Sequence, residues 1–162
     1  MKQLSTRTLI AIICVSLIPL LNLSATLTLT TSTSSISIPF LTTDYNASTG
    51  AAQVIRTSAQ TLTIKSTTGT WTLSVRALAS TFSFAPSLGD LNPNKPAADL
   101  SVRAPATSST WLVLTTTNQV LSTGPKSASD QTRALDYRLN SNLSTDPPGT
   151  YTISVIYTLT SP

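Results

Sequence analysis

The chain has 162 residues, with ten Lys or Arg against six Asp, no Glu, no His and a single Cys. That length supports one domain with a real core and not two. Without His, and with its one thiol at Cys14, the chain lacks the side chains that most often carry acid–base, thiol or zinc chemistry.

The first residues, MKQLSTRTLIAIICVSLIPLLNLSA, place Lys2 and Arg7 ahead of a 13-residue apolar run, Leu9 to Leu21, followed by small and polar residues. This is the pattern of a secretory signal peptide over 1–25, with cleavage near Ala25. The run is short of the roughly 20 residues that a membrane-spanning helix needs, so no stable membrane insertion is expected after cleavage. Cys14 follows Ile13 where a lipid-anchored leader needs a small residue, and it departs with the leader. The mature chain, about 137 residues, then has no disulfide to staple it. Eight basic residues remain against six aspartates, all eight dispersed along the chain. No basic run marks a nucleic-acid footprint.

Residues 26–44 read as an extended N-terminal strand or arm, with Leu or Ile alternating with Thr or Ser in TLTLTTSTSSISIPF. A turn around Gly50 leads to two short alternating strands at 52–57 and 60–66. The next strand, GTWTLSVRA, puts Trp71, Leu73 and Val75 on one face and Thr72, Ser74 and Arg76 on the other. TFSF at 81–84 repeats the alternation. APSLGDLNPNKPAAD (85–99) reads as a loop, with three Pro and one Gly. Strands are predicted at 100–104 and 109–116, a loop at 122–132, and a strand at 133–140 with Leu135, Tyr137 and Leu139 on one face. A Pro-Pro-Gly turn opens the last strand, whose Tyr151, Ile153, Val155, Tyr157 and Leu159 face one way.

Ser and Thr together fill 54 of the 162 positions. Thr suits a half-solvated pleated surface because its branched carbon packs and its hydroxyl is hydrated. About nine to eleven short strands, punctuated by turns and free of helical period, predict an all-β, antiparallel β-sandwich of Greek-key type. A closed barrel is the alternative.

The aspartates are dispersed, and Asp90 and Asp99 sit where Asp commonly bonds its own turn backbone. Serines are plentiful but have no base beside them in the sequence. No metal or cofactor is expected, and no enzyme. Asn46-Ala-Ser and Asn142-Leu-Ser fit the glycosylation pattern and equally fit ordinary turn asparagines. Trp71, Trp111, Tyr137, Tyr151 and Tyr157 can be core residues or an aromatic platform for a ligand.

Two features, GTWTLSVRA and PPGTYTISVIYTLTSP, together resemble the WxL family of secreted bacterial surface domains. Trp71-Thr72-Leu73 takes the place of the first Trp-x-Leu motif. Tyr157-Thr158-Leu159 takes the place of the second, with Tyr where the family has Trp. The resemblance spans about 45–162. It implies non-covalent attachment to the bacterial cell wall, to peptidoglycan, within a complex of surface proteins, and it makes Trp71, Leu73, Tyr157 and Leu159 candidate contacts to the wall polymer or a partner. The closing strand is also similar to that of secreted pilin-like and spore-coat U domains, which assemble by β-strand donation. That second resemblance implies self-association through residues 26–40.

Overall fold

The computed structural model describes residues 26–31, 35–87, 93–105 and 108–161. The leader with its cleavage point at Ala25, the centre of the arm and Asp90 lie outside the described residues.

Ten strands follow one another: β1 (Leu27–Thr31), β2 (Ser35–Phe40), β3 (Ala51–Ser66), β4 (Trp71–Ala77), β5 (Ser83–Pro86), β6 (Leu100–Arg103), β7 (Leu112–Val113), β8 (Gln119–Gly124), β9 (Ser127–Asn142) and β10 (Gly149–Thr160). They form two antiparallel sheets, ordered β1-β3-β9-β6-β7 and β2-β10-β4-β8. The chain is an all-β sandwich. The only helical pieces among the described residues are two 3-10 turns, Thr42–Asp44 and Ala97–Asp99.

Period-two patterning explains the layers. In β4 every second residue is buried, Trp71 through Ala77, and the intervening Thr72, Ser74 and Arg76 are half-exposed. β10 repeats this with Tyr151, Ile153 and Val155 inward, and β9 with Leu135, Tyr137 and Leu139. These faces meet the inward Leu62 and Ile64 of β3 and Leu100 and Val102 of β6 in one core. Hydroxyl-bearing positions cover the outside, where water satisfies them.

The arm belongs to the sandwich's own sheets. β1 pairs with β3 from Leu27↔Ser66 to Thr31↔Leu62. β2 pairs with β10 from Ser35↔Ser154 to Phe40↔Gly149 and buries Ile36, Ile38 and Phe40. The segment therefore gives one edge strand to each sheet. Pro39, which lacks an amide donor, is tolerated because β2 is an edge strand.

Several boundaries differ from the sequence reading. The two strands expected at 52–57 and 60–66 are one 16-residue strand, β3, with a register break between Arg56 and Gln60. Ser58 takes a left-handed φ of 49° in that bulge, and its amide is held by Asp136 Oδ1 at 2.9 Å. The side chain that satisfies the break comes from β9, distant in sequence. The loop expected at 122–132 is mostly strand, because Gly124 ends β8 and β9 begins at Ser127. Of the strand expected at 109–116, only Leu112 and Val113 pair.

Two glycines are required by space. Gly124 is the register partner of Trp71, and a Cβ on it would lie 2.2 Å from Trp71 Cζ2. Gly149, the last residue of the Pro-Pro-Gly turn, faces Phe84, whose ring would meet an added Cβ at 2.4 Å.

Candidate functional site

The structure brings the four motif residues together. β4 and β10 are hydrogen-bonded neighbours, with Leu73 directly opposite Leu159 and Val75 opposite Tyr157. All four point into the sandwich. Trp71 is 1% exposed and Leu73 fully buried, so neither presents a face to a polymer. Tyr157 and Leu159 are half-buried and pack against the same core. Across the interior, the Arg133 guanidinium lies 5.2 Å from the centre of the Trp71 ring.

Tyr157 also closes a polar cluster between the sheets. Its hydroxyl reaches Gln60 Oε1 of β3 and the hydroxyl of Tyr137 of β9, and Tyr137 donates to the same Gln60 oxygen. Two phenols carry two protons, so two of these three contacts form at any moment. Burial pushes both phenols above their ordinary range; for Tyr137 the neighbouring Tyr157 adds to the effect. Tyr157 is thus a structural hydrogen-bond donor between the sheets.

The candidate surface site is elsewhere, on the outer face of the first sheet. Arg138 alternates outward from the buried Tyr137 and Leu139 of β9, and Arg103 alternates outward from Val102 of β6. The two strands pair as Ser101↔Arg138 and Arg103↔Asp136. Trp111, just before β7, is half-exposed. The guanidinium carbon of Arg103 lies 4.5 Å from its ring centre and that of Arg138 lies 4.7 Å away. Both cations thus share one indole, whose electron-rich face attracts them.

The charges in this cluster do not cancel. Arg103 pairs with Asp136 at 2.9 Å, and the same carboxylate is engaged by the Ser58 amide. Among the described residues Arg138 has no carboxylate within ion-pair distance. A cavity of about 190 Å³ opens beside the indole, with Ala104, Leu112, Val120 and Leu121 as apolar walls and Ser108 and Thr110 supplying hydroxyls. An aromatic wall, hydroxyls and an uncompensated guanidinium together suit an anionic, hydroxyl-rich ligand.

Of the candidate aromatics, Tyr137 and Tyr151 are fully buried, and only Trp111 forms part of a surface platform. The sequence placed Arg103 and Arg138 among scattered cations, but pairing of β6 with β9 makes them neighbours. Their outward parity within each strand was the available signal. Asn46 and Asn142 are exposed, and each side-chain oxygen accepts amides of its own turn, Ser48 and Thr49 for Asn46 and Ser144 for Asn142.

Asp99 does not cap its own turn. It binds the buried Lys95, together with Asp146. Among the described residues no group of three or more His, Cys, Asp or Glu is placed to hold a metal ion. Compared with known proteins, the chain matches no family model, no curated protein and no solved structure.

Proposed function

We propose that the chain is a secreted, non-enzymatic surface module that binds an anionic polymer of the bacterial cell envelope, with peptidoglycan as the ligand class. The observation that carries this reading is the pair of guanidinia held on one half-exposed indole with a single carboxylate between them. It keeps the envelope role implied by the WxL resemblance and moves the contact from the buried Trp71 and Leu73 to Trp111, Arg103 and Arg138. Wall peptides supply carboxylates for Arg138, and sugar rings supply the apolar faces that stack on an indole.

The test is retention on purified cell-wall sacculi at physiological salt. The mature protein is retained, and Trp111→Ala or Arg138→Ala lowers retention at least about tenfold, the loss of roughly 1.4 kcal/mol, while the circular dichroism spectrum is unchanged. Absence of retention by the unsubstituted protein overturns the reading.

A second reading, assembly by strand exchange, is favoured by one observation: residues 26–40 supply an edge strand to both sheets. The same pairing made between two copies would link them. Oligomers that persist in mild detergent support it, and a single monomeric species in solution counts against it.

A further inference from the structure

Among the described residues, the amine of Lys95 is a fully buried cation. Its side chain is 0% exposed, and Nζ lies 2.7 Å from Oδ2 of Asp146 and 2.7 Å from Oδ2 of Asp99. The Tyr151 ring centre is 5.8 Å from Nζ. Both sides of the contact are fixed by backbone. The Lys95 carbonyl accepts from the Phe82 amide at 2.9 Å, and Ala97 donates to the Ser80 carbonyl at 2.8 Å. Asp146 donates its own amide to the Asn142 carbonyl at 2.7 Å. Its Oδ2 accepts from the Asn142 amide at 3.1 Å and from the Ser141 hydroxyl at 3.2 Å.

We propose that Lys95 and Asp146 condense to an intramolecular amide, Nζ to Cγ, with Asp99 relaying the protons. The geometry meets the requirements of acyl transfer in turn. The fold holds Nζ 2.7 Å from Oδ2 of the Asp146 carboxyl group, and proximity of reacting groups is worth effective concentrations on the order of 10⁵–10⁸ M in well-oriented cases. Two donors, the Asn142 amide and the Ser141 hydroxyl, already point at the carboxyl oxygen where negative charge develops at the tetrahedral stage. A second carboxylate touches the amine and can accept its proton.

The step balances without any co-reactant. The ammonium of Lys95 and the carboxylate of Asp146 become an amide and one water. Asp99 takes a proton from Nζ and passes it to Oδ1 of Asp146, and the freed lone pair attacks Cγ of the neutral carboxyl group, from which Oδ1 later departs. Two of the three ammonium hydrogens leave with one Asp146 oxygen as water, relayed by Asp99, and the third stays on the amide nitrogen. Asp99 returns to its carboxylate form. Its side chain is 36% exposed while Asp146 is 10% exposed, so the relay lies on the side from which water can leave.

The bond would join the segment before β6 to the turn before β10, positions 51 apart in sequence. In a mature chain without cysteine it would do the work of a disulfide, restricting the unfolded chain.

Peptide mass mapping of the folded protein after tryptic digestion tests this. Pro96 protects the Lys95 peptide bond, so cleavage after Arg76, Arg103 and Arg138 yields segments 77–103 and 139–162. The proposal requires one branched species carrying both segments, lighter than the two together by one water, about 18 Da. Lys95→Arg keeps the positive charge but removes the reactive amine, and it releases the two segments separately. Asp99→Asn leaves the attacking pair intact and slows bond formation, so most of the protein is unlinked. Two separate segments at unshifted mass from the unsubstituted protein would overturn the amide. Full linkage in Asp99→Asn would overturn the relay.

Discussion

At the scale of single residues, the inner face is governed by fit. Trp71 is accommodated because its partner on β8 is Gly124, the one side chain that leaves room for the indole. The backbone of Gly124 is not in the left-handed region, so space alone selects glycine here. Gly124→Ala forces the indole or β8 to move, at a cost of about 1–3 kcal/mol, measurable as a lower urea midpoint with an unchanged slope. The Gln60–Tyr137–Tyr157 cluster gives a second residue-scale expectation. Both phenols titrate higher in the folded chain than in the unfolded one, where tyrosine titrates near 10. Their contribution is therefore complete below about pH 10 and is lost as pH rises through the folded values. A melting temperature followed from pH 8 to 11.5 falls above pH 10. Tyr157→Phe makes that fall shallower, because one of the protons retained by the folded state is gone. An identical slope in the variant would contradict the assignment.

At the scale of elements, the arm and the long strands decide the architecture. Burial of Ile36, Ile38 and Phe40 by β2 contributes on the order of 1.5–3 kcal/mol for each side chain. Taken together, the three are comparable with the net stability of many small domains. The arm is therefore part of the fold, and any exchange between copies must replace these contacts with the same contacts made in trans. That is why strand exchange is tested by the mass of the mature protein in solution: removing the arm would remove core with it. β4 and β5 show a related economy, since both lie along one edge of β10, at Val155–Thr160 and Gly149–Thr152 respectively. Between them Leu78 is exposed and Phe82 returns to the core, and the Leu78 amide is kept by the Ser154 carbonyl at 2.9 Å.

At the scale of the whole molecule, the two faces of the first sheet differ in composition. Its inner face is sealed by Leu, Ile and Tyr, and its outer face carries Trp111 with Arg103 and Arg138. Trp111 is outside the buried core, so the sacculus experiment with Trp111→Ala can lose binding while the fold persists. A variant such as Trp71→Ala would confound the two, because truncating a buried Trp costs about 3–5 kcal/mol of stability. Net charge is a poor guide to this surface. The chain's ten cations and six carboxylates leave a net charge of only +4, and what sets this surface apart is the pair of guanidinia gathered on one indole where β6, β9 and the Trp111 segment meet.

The amino-acid sequence by itself determined the class of fold and the inward set of residues. Alternation is a local property, and a period of two in Trp71–Ala77, Leu135–Leu139 and Tyr151–Val155 survives any choice of strand partners. It also determined that the two motif segments are strands. What only the tertiary structure decided was pairing: that Leu73 faces Leu159, that β3 runs through its bulge with help from Asp136, and that Trp111 collects two distant guanidinia. It likewise brought Lys95 between Asp99 and Asp146, where the sequence offered an isolated lysine in a loop and two turn aspartates. Pairing depends on contacts between segments tens of residues apart, and the choice among them is made by packing complementarity across the core. The closing strand illustrates both halves. Its apolar face was legible from Tyr151 to Leu159, but the role of Tyr157 became visible only when Gln60 and Tyr137 were placed against its hydroxyl.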